Sequence, residues 1–199
     1  SNLLSPTKVL FMIDKNKKRA GYEYLLAYKL TVPIYDYTVE FCNRYIEAKS
    51  RTRDQMIQSA RSGMQNIAEG NKQQSLQGYI KLSGVSRGSL EELLNDFMSY
   101  ARQNKIPIWP SEKAKREIRE IGKIWEILKK SPTLPDSPNF PPLPNRAELA
   151  VNLMITLINQ ANYLIDKLIA SLKEKHMREG GFNEQLYRKR IEYRNKNKS

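Results

Sequence analysis

The chain has 199 residues, 40% of them hydrophobic and 28% charged, so it can bury a core without staples and is too apolar to belong with disordered proteins. Its 34 Lys and Arg against 21 Asp and Glu leave a net charge of +13, which points to a polyanionic partner, because cationic side chains release the counterions condensed on phosphate backbones. The single cysteine, Cys42, excludes an intramolecular disulfide framework and favours a reducing, cytoplasmic setting; no apolar run reaches the roughly 18 residues of a membrane span, and Ser1 to Ile13 lacks the architecture of a cleavable signal.

Residues 1–19 read as an N-terminal arm whose apolar stretch, Val9 to Ile13, forms a short strand or a strap and leads into a basic run ending at Arg19. Residues 20–130 read as an antiparallel, up-down four-helix bundle, which makes the fold class all-α. Tyr24, Tyr28, Val32, Tyr35, Val39, Cys42 and Ile46 recur every three or four residues and predict a first amphipathic helix that Pro33 kinks or divides. Ser50 or Thr52 caps a second helix running to about Gly70. It carries Met56, Ile57, Ala60, Met64, Ile67 and Ala68 on one face and Asp54, Gln58, Arg61, Gln65 and Lys72 on a wet stripe. A third helix, Ser75 to about Asn104, presents Tyr79, Leu82, Val85, Ser89, Leu93, Phe97 and Met98. It also contains Gly78, Gly84 and Gly88, each costing about 1 kcal/mol against alanine, and close approach of a neighbouring helix is the expected compensation. Ser111 starts the fourth helix, with Ile118, Ile121, Trp125 and Leu128 inward.

Residues 131–145 hold six of the ten prolines and read as a stiff linker. Residues 146–199 read as a helical suffix. Leu149, Leu153, Ile155, Ile158, Ala161, Leu164, Ile165, Leu168 and Leu172 form an apolar stripe too wide for a helix left alone in water. Gly180 and Gly181 end that helix, and a terminal helix from Asn183 carries Arg188, Lys189, Arg190, Arg194, Lys196 and Lys198.

Catalytic patterns do not emerge. His176 is the only histidine and Cys42 the only thiol, so neither a zinc cluster nor an HExxH motif can be assembled, and no Walker or GxGxxG phosphate loop occurs. A helical ribonuclease would need an arginine five to seven residues before His176, where the chain has Ile169, Ala170 and Ser171. Glu69, Glu91, Glu92 and Asp96 lack the paired Glu-x-x-His elements of a diiron bundle. No catalytic residue, metal or cofactor is assigned, and a binding protein rather than an enzyme is expected. Asn66, Glu69 and Ser89 stand beside apolar positions, where hydrogen bonds between helices would fix their register.

The string Arg51 to Gly70, RTRDQMIQSARSGMQNIAEG, together with Ser86 to Leu94, SRGSLEELL, resembles the bacterial four-helix bundle proteins encoded in intervening sequences of 23S ribosomal RNA genes. The resemblance spans roughly Tyr22 to Lys130. Asn145 to Arg194, with Asn159-Gln160-Ala161-Asn162-Tyr163-Leu164, is similar to the suffix of a longer branch. The same family includes the accessory variability determinant of diversity-generating retroelements, a basic pentamer that binds nucleic acid and works with a reverse transcriptase. The resemblance therefore implies a homo-oligomer, a pentamer by analogy. Asn66, Ala68, Glu69, Gly70, Ser89, Leu90 and Glu91 match the family signature and read as helix packing.

Binding is thus expected from the basic faces. Arg51, Arg53, Arg61, Lys72, Lys81 and Arg87 are the candidate phosphate contacts on the bundle, with Arg188, Lys189, Arg190 and Arg194 on the tail and Tyr187 and Tyr193 placed to stack on unpaired bases. The alternative is a protein interaction module with no nucleic-acid ligand, in which the suffix stripe or the Val9 to Ile13 arm docks a partner or an identical subunit. Burial of Leu164, Ile165 and Leu168 within one subunit would weaken that alternative.

Overall fold

A computed structural model describes residues 19–196, and among them the chain is all-α, with no strand. A 3-10 turn, Gly21–Tyr24, leads into α1 (Leu26–Tyr45), followed by α2 (Arg51–Asn71), α3 (Leu76–Gln103), α4 (Ser111–Glu117), α5 (Arg119–Lys130), α6 (Ala147–Glu179) and α7 (Phe182–Lys196). The expected arm before Arg19, with Val9 to Ile13, and Lys198 of the tail lie outside the described residues. No helix among those described is long and apolar enough to cross a membrane.

The buried stripe of α1 is Ala27, Leu30, Ile34, Tyr37 and Phe41 with Cys42, not the tyrosine-rich set expected. Tyr24, Tyr28, Val32, Tyr35 and Val39 are only half-buried, because two neighbouring stripes both show helical spacing and the one richer in aliphatic side chains turns inward. Pro33 is buried inside α1, and the helix runs on through it without dividing. The missing amide costs about 3 kcal/mol, which burial of its neighbours offsets.

The second and third helices are antiparallel: Ser59 Oγ bonds Glu92, the hydroxyls of Ser62 and Ser89 meet at 2.8 Å, and Tyr79 lies against Gly70. Asn66 Nδ2 donates to the Ser62 carbonyl and hydroxyl, so Asn66 and Ser89 do join one polar chain across the helices. Glu69, expected to share it, is exposed. Close approach occurs on α2 instead of α3. A Cβ on Gly63 would stand 2.5 Å from Leu90 Cδ2, and one on Gly70 would stand 2.7 Å from Tyr79 Cδ2. Gly84 and Gly88 have open space where a Cβ would go, so tight packing does not account for them.

Past the proline-rich segment, α6 packs on both α3 and α1. All eight residues from Val151 to Ile158 are buried, whichever face they occupy, which marks a helix surrounded by protein. Leu143 and the inward side chains of α6 join those of the first three helices in one core. The 131–145 segment therefore ties elements of a common core rather than spacing two units. Tyr37 Oη donates to the Pro141 carbonyl and Tyr45 Oη to that of Asn145, both at 2.5 Å, while Arg44 donates to the Leu143 carbonyl at 3.1 Å.

The expected fourth helix is broken at Ile118, whose extended backbone separates α4 from α5. Ile118, Ile121, Ile124 and Leu128 nevertheless face inward, and Trp125 is half-buried. Lys29, 5% exposed, holds the end of α5 by donating from Nζ to the carbonyls of Leu128 and Ser131. Cations favour a helix C-terminus because its last carbonyls lack partners.

Candidate nucleic-acid interface

The bundle cations do not form one patch. Arg61 is exposed on the wet stripe of α2 and Lys72 just past its end, about 17 Å along the axis at 1.5 Å per residue. With the Gln65 amide turned oxygen-first, Arg61 donates to it at 3.2 and 3.3 Å. Lys72 Nζ sits 5.6 Å above the Tyr22 ring. Lys81 is exposed on α3. Arg51 borders an open groove with Asp54, Glu92 and Asp96, so carboxylates already oppose its charge. Burial, helped by Glu92, raises the Asp96 carboxyl above its usual range.

Two of the candidates are engaged. Arg53 is half-buried and donates to Asn43 Oδ1. Arg87 is held between Glu91, at 2.6 Å, and Asp166 of α6, at 3.2 Å. Asn162 Nδ2 donates to the same Glu91 at 3.3 Å, so Arg87 fastens α3 to α6 instead of facing a ligand. Glu91 stands four residues on in the same helix, but Asp166 comes from α6, and that contact is not legible in the sequence.

The tail is different. Every described side chain of α7 is exposed, including Arg188, Lys189, Arg190 and Arg194, and among the described residues these four have no salt-bridge partner. Tyr187 is 66% exposed and shares a helix face with Arg190 and Arg194; Tyr193, 70% exposed, shares one with Lys189. Each phenol ring is thus flanked by cations on a helix whose described side chains are all exposed. Gly180, at φ 78°, makes the turn into α7, where Glu184 accepts from the Gly181 amide at 3.0 Å. His176 stands in the last turn of α6, half-buried.

Residues 23–126 match the model of a family described as 23S rRNA-intervening sequence protein. The chain belongs to that family. The 23S rRNA-intervening sequence match takes in all six bundle cations, and its limits agree with the resemblance over Tyr22 to Lys130. Both α6, which lies against α1 and α3, and α7, which carries the open cations, fall outside it. No curated protein and no solved structure matches the chain.

The sequence reading missed Trp125, Lys129 and Lys167 as surface features, although it singled out the string Asn159 to Leu164 beside them. Lys129 Nζ lies 5.5 Å from the Trp125 ring centroid and Lys167 Nζ 5.4 Å from that of Tyr163.

Proposed function

We propose that this chain is a non-catalytic, basic nucleic-acid binding or scaffold protein of the cytoplasm, acting as a homo-oligomer and gripping phosphate backbones with little sequence preference. The observation that carries the reading is helix α7, whose described side chains are all exposed and whose Arg188, Lys189, Arg190 and Arg194 have no salt-bridge partner among the described residues, on a chain of net charge +13. Arg61, Lys72 and Lys81 add contacts on the bundle; Arg51, in a groove shared with three carboxylates, and the half-buried Arg53 contribute less, and Arg87 nothing, because Glu91 and Asp166 already meet its charge. A polyanion bound this way releases counterions, so affinity falls steeply with salt.

The test is salt-titrated binding of the full chain to single-stranded RNA, single-stranded DNA and duplex DNA. Replacing Lys189, Arg190 and Arg194 with glutamine should weaken all three and flatten the plot of log affinity against log salt by about 2 to 3, near one unit per lost phosphate contact. Absence of binding at low salt would overturn the proposal.

A second reading, an assembly or interaction module without nucleic acid, draws support from the outer face of α3. Gly84 and Gly88 are open there beside Val85, 44% exposed, and Met98, 43% exposed. The suffix stripe offers this reading less, since Ile165 and Leu168 are buried and Leu164 half-buried within one chain. Light scattering measures the mass: a multiple of 23.2 kDa supports self-assembly, and the family resemblance makes five copies the expected number.

A further inference from the structure

Between α5 and α6 lies a groove of about 330 Å³, near the lower end of the ~300–1,000 Å³ typical of small-molecule sites. Trp125 forms one wall and Tyr163, 61% exposed, another, with Thr156, Leu164, Asn159 and Gln160 between them. Trp125 is held by its Nε1, which donates to Gln160 Oε1 at 2.8 Å. Asn159 Nδ2 donates to the Ile155 carbonyl at 2.9 Å. Each amide spends one end on the protein. A donor, Gln160 Nε2, and an acceptor, Asn159 Oδ1, are left without protein partners among the described residues.

No carboxylate lines the groove, and the ammonium groups of Lys129 and Lys167 hang over its two aromatic rings. Stacking surface, a paired donor and acceptor, and a cationic rim are the three features by which proteins hold an unpaired base and its phosphates.

We propose that this groove seats one unpaired nucleobase of a single-stranded nucleic acid. The base stacks on Tyr163, its edge meets Gln160 Nε2 and Asn159 Oδ1, and Lys129 and Lys167 swing from the rings to the flanking phosphates. The inference rests on the nucleic-acid reading and gives it a place that duplexes cannot use, whereas α7 serves single and double strands alike.

Tryptophan emission of the full chain tests it during titration with single-stranded RNA, single-stranded DNA, duplex DNA and a proline-rich peptide. Single strands should quench the emission, Trp125→Phe should abolish the quenching, and Trp109→Phe should leave it. Tyr163→Ala, at an exposed position that folding tolerates, should weaken single-strand binding about tenfold and leave duplex binding unchanged. Single strands that bind without quenching, and equally well to Tyr163→Ala, overturn the groove while phosphate binding through α7 stands. No binding of any nucleic acid at low salt overturns both. Quenching by the peptide but not by oligonucleotides makes the groove a peptide site and overturns the proposal as well.

Discussion

Glycine in this chain has two opposite meanings, and substitution separates them. Gly63→Ala must drive a methyl into Leu90, which is fully buried and cannot swing away, and Gly70→Ala must displace the Tyr79 ring. Each should lower stability by about 1–3 kcal/mol. Gly84→Ala and Gly88→Ala meet nothing and should raise it by up to ~1 kcal/mol through helix propensity alone. Urea denaturation of the four variants checks the contrast, which disappears if the α2–α3 contact is loose. Cys42 offers a second residue-scale test. Burial pushes its thiol from 9.0 up to about 11, and Tyr37 is raised by burial too. The folded state then holds protons that the unfolded state has lost, so stability should fall as pH rises from about 9 to 11. Cys42→Ala should remove part of that slope, and the native thiol should resist a thiol reagent at pH 8 until the protein is unfolded.

At the scale of elements, α5 is held to α1 at its end by one buried lysine. Lys29→Met keeps the apolar stem but strands the carbonyls of Leu128 and Ser131, and should cost about 1.5–3 kcal/mol. Hydrogen exchange should locate the loss in the last turn of α5 and the start of the proline-rich segment. The Arg87 network joins α3 to α6 in the same manner but is partly exposed, so Arg87→Gln should destabilise less than Lys29→Met. If Arg87 served a ligand instead, Arg87→Gln would weaken nucleic-acid binding; an unchanged affinity is the expected result.

For the molecule as a whole, the family match and the folding unit do not coincide. A chain cut after Lys130 keeps residues 23–126 but loses α6, uncovering the inward faces of α1 and α3. Calorimetry should show no cooperative transition for that fragment, and a hydrophobic dye should bind it. A chain cut after Glu179 loses only α7, whose described side chains are all exposed, and should melt as the full chain does while binding nucleic acid more weakly. The two truncations thus separate what holds the fold from what is proposed to bind.

Periodicity and composition by themselves determined that the chain is helical, that its helices begin near Arg51 and Leu76, and that its charge gathers toward the C-terminus. These are local properties, set by spacing, caps and residue type. The family was legible too, because its string lies within consecutive helices. Tertiary structure alone decided which stripe of α1 faces inward, since tyrosine and leucine stripes both repeat at helical spacing. It also decided that α6 packs between α1 and α3, that Gly63 and not Gly84 marks the close contact, and that Arg87 reaches Asp166 on α6. Each of these depends on partners distant in sequence, and no window of the chain contains both sides of the contact. The aromatic groove follows the same logic: Trp125 and Gln160 become neighbours only once α5 is laid against α6.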